Sequence, residues 1–555
     1  MQFDGDAVFS GAQFSGDTWF DQAQFGGVAA FRGAQFSGSA QFNETRFSGS
    51  AYFNETQFSV SASFDQVQFS GIAWFRDAQF PFGAWFGGAQ FSGDTQFDLA
   101  QFSELAWFRD AQFSSKASFC NAQFSCTARF DQVQFFGDAQ FASAQFPDGA
   151  RFGGAQFSGD AWFGGAQFSR SAWFDGVRFE GVSVLGPLVC AERVVLSGAV
   201  FVLPVTLEIA AATVVCARTR WESTAVMRLR YADVDLGHAV LTAPTAVVVH
   251  PTPFTHEDSA VGAALLTGAD PQNPRPPDRV RVLSVQGVDA AHLVLTDTDL
   301  TACLFSGAFH LDQIRLEGRT TFDDTPRGRH WRGIRPIRYT RRRTLAEEHH
   351  WRAHTLGEGS GWHRPDPPDP AHTSDSVDVA ALYRQLRKAF EDGKNEPGAA
   401  DFYYGESEMR RHDLTGTAKG ERRLLWGYWL LSGYGLRASR AFTWLFASMT
   451  LTVLLLMGVG LPSQDPDPAT RGTVHGSKIS LTTKAPDAVL EGKWPQRWSW
   501  KRAEKATRVA VNSVVFRSSG QNLTTAGTYI EMTSRLLEPT LLALGVLAIR
   551  GRIKR

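Results

Sequence analysis

Residues 20–47 read Phe-Asp-Gln-Ala-Gln-Phe-Gly-Gly-Val-Ala-Ala-Phe-Arg-Gly-Ala-Gln-Phe-Ser-Gly-Ser-Ala-Gln-Phe-Asn-Glu-Thr-Arg-Phe, with phenylalanine at 20, 25, 31, 36, 42 and 47. The steps alternate five and six, and they do so without a break from Phe3 to Phe179, giving 33 phased phenylalanines. Two residues before each ring stands something small: Ala12, Thr18, Ala23, Ala29, Ala34, Ala40, Thr45, Ala51. Neither a helical period of 3.6 nor strand alternation produces this spacing. One large and one small apolar residue in a fixed short unit is the pattern of a solenoid, in which each unit buries its face against the next.

If each unit forms one side of a square coil, four units make a turn of 22 residues. Sixteen eleven-residue periods then give about eight turns and roughly 38 Å of rod at ~4.8 Å per turn. Phenylalanine and the small residue point inward. Burial of each ring is worth about 1.5–3 kcal/mol, so the columns supply most of what opposes chain ordering.

Units with a small residue at the start and phenylalanine at the centre resemble the pentapeptide-repeat family. The resemblance covers residues 1–181 and implies a right-handed quadrilateral parallel β-helix. The sequence departs from the family in an extra residue at every second unit, around Gly16 and Asp17 in the first full period, expected to bulge outward at a corner.

The residue before each phenylalanine faces out and falls into two sets. One is nearly pure glutamine (Gln13, Gln24, Gln35, Arg46, Gln57, Gln68, Gln79, Gln90, on to Gln167), whose stacked amides are expected to hydrogen-bond along the rod. The other holds Trp19, Tyr52, Trp74, Trp85, Trp107, Trp162 and Trp173 among polar residues. Aligned outward aromatics are a candidate partner surface; the competing reading is that they pad neighbouring turns.

Beyond Phe179 the phase is lost in a Val-, Leu- and Ala-rich stretch, Val184 to Val248. It returns at Leu295, Leu300, Phe305, Leu311, Leu316 and Phe322, after a Pro-rich surface loop at Asp270–Asp278. Residues 182–325 are read as an irregular extension of the β-helix. A basic segment and Pro-rich linker (326–375) follow, with Arg327, Arg329, Arg332, Arg335, Arg338, Arg341, Arg342 and Arg343 interleaved with His330, Trp331 and Tyr339. Anionic lipid, or docking on the acidic solenoid, is favoured over nucleic acid. Glu347, His350 and His354 share a helical face at a spacing that zinc can use, but no fourth ligand is evident, and no metal or cofactor is expected.

Residues 376–440 are expected to form a helical hairpin and a juxtamembrane helix. Tyr383–Gly393 and Phe402–Arg411 are similar to the hairpin between repeats and membrane segments in bacterial pentapeptide-repeat membrane proteins.

Ala441–Leu461 is an uncharged apolar run of 21 residues, enough for one span (441–462). Arg437 and Arg440 precede it and an acidic, Pro-rich stretch follows, which places the solenoid in the cytoplasm by the positive-inside rule. A second span, weaker because of Glu538, is expected within 530–555. It is extended back through Ile530 with Arg535 and Glu538 facing inward, and a basic tail follows it. The intervening loop (463–529) carries Trp494, Trp498 and Trp500 beside Lys493, Lys501 and Arg502, an interfacial pattern. Within it Thr524, Thr525, Ala526, Gly527, Thr528 and Tyr529 resemble a degenerate filter of two-span potassium channels, a candidate relic pore loop; successive inward carbonyls would be needed to conduct.

Residues 1–180 hold 18 acidic and 9 basic side chains, a net −9, which leaves +8 for the remainder. Five scattered cysteines (Cys120, Cys126, Cys190, Cys216, Cys303) form no C-x-x-C pair and read as reduced. The N-terminus has neither basic nor apolar signal regions. It begins in mid-repeat, so either the first coil pairs with a second copy or the repeats start upstream.

No nucleophile–base set and no phosphate loop is present. The expectation is a non-enzymatic, multi-pass protein of the inner (plasma) membrane. Its cytoplasmic β-helix acts as a scaffold for an unidentified protein partner, in contact with the lipid bilayer. The alternatives are a two-span ion channel with a β-helix regulatory domain and, by resemblance to acidic pentapeptide-repeat rods, a DNA-mimicking topoisomerase binder.

Overall fold

The computed structural model describes residues 1–256, 259–260, 279–328, 330–332, 335–337, 339–357, 360–363, 374–463, 469–475, 478–484, 490, 494–515 and 522–553. The chain divides into two compact units, Met1–Phe402 and Tyr403–Arg555.

From Gln2–Phe3 to Arg178–Phe179 the first unit runs as 33 strands of two residues. All but Ala161–Trp162, the last strand of its sheet, pair in parallel with the strand 22 residues on: Gln2 with Gln24, Ala7 with Ala29, Gln13 with Gln35, Thr18 with Ala40. A coil therefore has four sides, and the eleven-residue period is half of one. The phenylalanines fill the interior, as Phe25, Phe36, Phe42 and Phe53 show with no exposure at all. Within one column the rings lie parallel, Phe42 on Phe64 at 4.9 Å and 1°. Between opposite columns they meet edge to face, Phe42 against Phe53 at 5.5 Å and 87°. Phe42 thus takes both arrangements that its quadrupole favours.

The two step lengths make two kinds of corner. The five-residue step turns through a left-handed residue every eleven positions, including Gln22, Gly33, Glu44, Glu55 and Gln66. Non-glycine side chains are accepted there because they point into solvent. Of the two six-residue steps in a coil, one carries the exposed Val60 and Phe82, and the other places its extra residue at a bend held close against the neighbouring coil. At Gly93 a Cβ would stand 2.6 Å from the carbonyl oxygen of Gly71, so this corner stacks backbone on backbone.

Carboxylate and amide oxygens at the corners tie one coil to the next. Asp21 Oδ1 accepts from the Asn43 N–H (2.9 Å), Asn43 Oδ1 from Asp65 (3.2 Å), and Asp65 Oδ1 from Gly87 (2.7 Å). The expected glutamine ladder does not form. Among the described residues, the one side-chain hydrogen bond along that set runs from Arg46 Nε to Gln68 Oε1 (2.9 Å). Most of these glutamines are exposed, where water competes for their amides.

After Phe179 the coil shortens. Val184 pairs with Thr206 at a 22-residue offset but Val195 with Val215 at 20, and the 20-residue coil persists through Val200–Arg220 and Arg220–Val240. The extra corner residues are gone, and branched side chains carry longer strands, Val184–Val195 and Val205–Val215. One interior column continues unbroken: Phe201 stacks on Phe179 at 4.7 Å and Trp221 on Phe201 at 4.4 Å. Thr245 pairs with Leu293, so one coil carries an insertion, and its Pro-rich part, Asp270–Asp278, lies outside the described residues. The returning rhythm is internal again, with Leu295, Leu300, Phe305, Leu311 and Phe322 buried.

Helices close the far end of the solenoid. Helix α1 spans Ala346–Leu356, α2 Ser376–Asp392 and α3 Glu396–His412. The apolar face of α2 (Val379, Leu382, Leu386, Phe390) is buried, and Phe322, at the last coil, meets Phe390 (5.8 Å) and Phe402 (5.1 Å). The hairpin's charges are only partly solvent-facing, since Lys388 binds Asp312 of the solenoid at 2.6 Å. Arg342, from the basic segment, is buried. It donates to both oxygens of Glu348 (2.5 and 2.6 Å), which also accepts from Arg352 (2.6 Å) and the Tyr383 hydroxyl (2.5 Å). Arg327 and Arg341 lie 3.0 and 3.6 Å from Asp324, while Arg329 and Arg338 fall outside the described residues.

The second unit holds α4 (Lys419–Ser432), α5 (Ala438–Leu455, continued by a π-helical turn Leu456–Gly460), α6 (Trp500–Val515) and α7 (Thr525–Ile553). Leu456, Met457 and Leu461 pack with Ala506 and Val509 of α6. Arg502 donates to the carbonyls of Met457, Leu461 and Pro462 (3.0, 2.8 and 2.8 Å), which the turn leaves open.

Candidate interaction surface

The outward aromatics do not form one surface. A coil takes two eleven-residue periods, so alternate members of the set fall on different sides. Tyr52, Trp74 and Trp162 share one sheet with Val8, Ala30, Gln96, Ser118 and Gln140. Trp19, Trp85, Trp107 and Trp173 share another with Gln41, Ser63, Arg129 and Arg151. Trp19 and Trp162 are 61% and 56% exposed; the other five are half-buried.

The half-burial is mutual. Tyr52 and Trp74 meet at 5.3 Å and 65°. The Trp85 ring lies over Gly83, where a Cβ would stand 2.5 Å from it. On the same side the guanidinium of Arg129 sits 5.0 Å from the Trp107 ring centre, and that of Arg151 5.1 Å from Trp173. Trp85, Trp107, Arg129, Arg151 and Trp173 therefore form a continuous ladder, one side chain per coil, in which cations cover aromatic faces. Both arginines occupy the phased position of the tryptophans, 22 residues after Trp107 and 22 before Trp173; reading the position rather than the residue type would have found them.

Beside the ladder runs a corner groove of about 650 Å³ lined by Arg109, Asp131, Gly153, Asp175, Ser197 and Arg218. It opens because Gly153 has no side chain between two carboxylates: a Cβ there would lie 3.2 Å from Asp131 Oδ1 and 3.3 Å from Asp175 Oδ2. Burial pushes the Asp131 carboxyl above its ordinary range, against the pull of Arg129 and Arg151. The groove carries charge of both signs.

The residues weighed for zinc part company. Glu347 is buried and accepts from the N–H groups of Phe305 and Ser306 (the latter at 3.0 Å), and burial pushes its carboxyl up to about 7. His354, two turns on from Glu347, is exposed. His349, its neighbour His350 having drawn attention instead, turns inward and meets Asp323 and His363. That grouping was missed because its members lie up to 40 positions apart. The cysteines are unpaired, and burial pushes the Cys190 and Cys216 thiols up to about 12.

Thr525–Tyr529 form the opening turns of α7, not a loop. Thr524 precedes them, its hydroxyl donating to Val459 O (2.8 Å) and accepting from Gly527 N–H (3.1 Å), and Gly527 packs on Gly460. In a helix the carbonyls are engaged by N–H groups four residues on, whereas a filter needs them free and extended. Two helices are long and apolar enough to cross a membrane, Ala438–Gly460 and Thr525–Arg550. Glu538 is buried between them and accepts from Thr452 Oγ1 (2.8 Å), while Arg535 pairs along its own helix with Glu531 (2.6 Å). Trp494, Trp498 and Trp500 are exposed on or beside α6; Lys493 lies outside the described residues.

Searches of curated proteins and of solved structures find no match. A family model, pentapeptide repeats (9 copies), matches residues 1–45, 31–79, 42–90, 61–101 and 141–185, so these coils are similar to pentapeptide repeats.

Proposed function

We propose that this is a non-enzymatic scaffold of the inner membrane, held there by Ala438–Gly460 and Thr525–Arg550, whose solenoid presents its outward side chains to a cytoplasmic protein partner. The observation that carries the reading is the Trp85–Trp107–Arg129–Arg151–Trp173 ladder. Its interior neighbours are fully spent on the core, and on this side cations cover aromatic faces in consecutive coils. Tryptophan and arginine are the residues that dominate binding energy at protein interfaces, and a rigid coil loses little entropy on presenting them.

The test is affinity capture from detergent extracts with the full chain, compared with a chain carrying Trp85→Ser, Trp107→Ser and Trp173→Ser. A partner retained by the first and lost by the second, with unchanged circular dichroism, supports the reading. Identical captured sets would refute it.

A further inference from the structure

We propose that Asp323, His349 and His363 bind one divalent transition-metal ion, with Zn²⁺ the best match to their donor set. Their donor atoms all lie within 4.8 Å of one another. Asp323 Oδ2 and His349 Nε2 are 3.3 Å apart, which is about the separation of two ligands on a tetrahedral ion with bonds of ~2.0–2.1 Å. Two imidazole nitrogens and a carboxylate oxygen suit zinc and its transition-metal neighbours; the hard cations Ca²⁺ and Mg²⁺ prefer oxygen alone.

The second observation is an orphan. His349 is 2% exposed, and its Nδ1 has no hydrogen-bond partner. The ring's polar contacts are therefore all made by Nε2, the nitrogen that faces Asp323 and that the ion would take, which leaves the proton on Nδ1.

The third is the way His363 is held. Trp362 is buried, packed against His349 (4.8 Å), Tyr339 (5.0 Å) and the guanidinium of Arg352 (4.9 Å). That anchor lays the exposed imidazole of His363 parallel to His349, with centroids 5.3 Å apart. Arg342 and Arg352, the nearest cations, are held by Glu348. Thr344 Oγ1, 2.8 Å from His349 Nε2, competes for that nitrogen and must turn away if the ion binds there. Three protein ligands leave a fourth position for water.

The test uses the full chain in detergent, stripped with chelator, titrated with ZnCl₂ by calorimetry and with CoCl₂ by visible absorption. One ion per chain is expected, with the intense visible bands of tetrahedral cobalt. Because His349 is buried, the diagnostic variants are His363→Ala, at an exposed position, and Asp323→Asn. Each should weaken binding more than about tenfold and abolish the cobalt bands, while His354→Ala, at an exposed position of α1, leaves both unchanged. Absence of stoichiometric binding, or binding that His363→Ala leaves intact, overturns the proposal.

Discussion

Phe42 lies flat against Phe64 at 4.9 Å and edge-on to Phe53 at 5.5 Å, so a ring added every eleven residues supports both the wall it belongs to and the wall opposite. Removing Phe64 takes a partner from five neighbouring rings, Phe42, Phe53, Phe58, Phe75 and Phe86. Phe64→Ala is expected to cost about 3–5 kcal/mol of stability, read as a lower denaturation midpoint. Phe82→Ala, at an exposed corner, should change it by less than about 0.5 kcal/mol.

The six-residue corners are not equivalent. One corner stacks Gly71 on Gly49 and Gly93 on Gly71, and the other holds Val60 and Phe82 in the open. Gly93→Val forces backbone apart and should cost about 1–3 kcal/mol, whereas Val60→Gly should be nearly silent in the same unfolding measurement.

The Glu348 carboxylate accepts from two buried guanidiniums and a phenol. Burial alone would raise its pKa, yet Arg342 and Arg352 hold it down at about 2. Glu348→Ala takes this carboxylate from both buried cations and should destabilise by about 3–5 kcal/mol. Replacing Arg342 and Arg352 with methionine in the same chain should recover much of that loss, measured by thermal melts.

Asp413 gives a pH signature. Burial pushes its carboxyl up, but the N–H groups of Gly416 and Thr415 and the hydroxyl of Thr417 outweigh it and hold the carboxyl at about 2, below the ordinary 3.8. A carboxyl depressed in the folded state contributes stability that is full above pH ~3.8 and disappears as pH falls to about 2. Asp413→Asn should therefore melt below wild type at neutral pH, with the gap closing over that window; a gap that stays constant would show that the charge contributes nothing.

Much of this was legible in the residues because Phe42, Ala40 and their equivalents repeat one packing problem 33 times, and only one geometry solves it. What the repeat does not encode is which side a residue falls on. Trp74 and Trp85 share a phase eleven residues apart, yet they belong to different sheets because the coil holds two periods. The shortened coil after Phe179 hid for a similar reason: Phe201 and Trp221 keep the column, but at a spacing of 20. His349 and His363 were invisible as a pair because Trp362, through tertiary packing, brings them together. The helical start of α7 overrode the filter-like spelling of Thr524–Tyr529 because Thr524 ties it to the end of the preceding span.

The coil length itself is most directly tested by disulfide trapping. With the native cysteines replaced by serine, a cysteine pair at Gln57 and Gln79, direct neighbours in one sheet, should oxidise readily, since strand spacing falls within the ~4.4–6.8 Å that a disulfide spans. A pair at Gln57 and Gln68, half a coil apart on different sheets, should not. Efficient cross-linking of the second pair, with none in the first, would mean that eleven residues close the coil and that the four-sided, ring-filled interior described here is wrong.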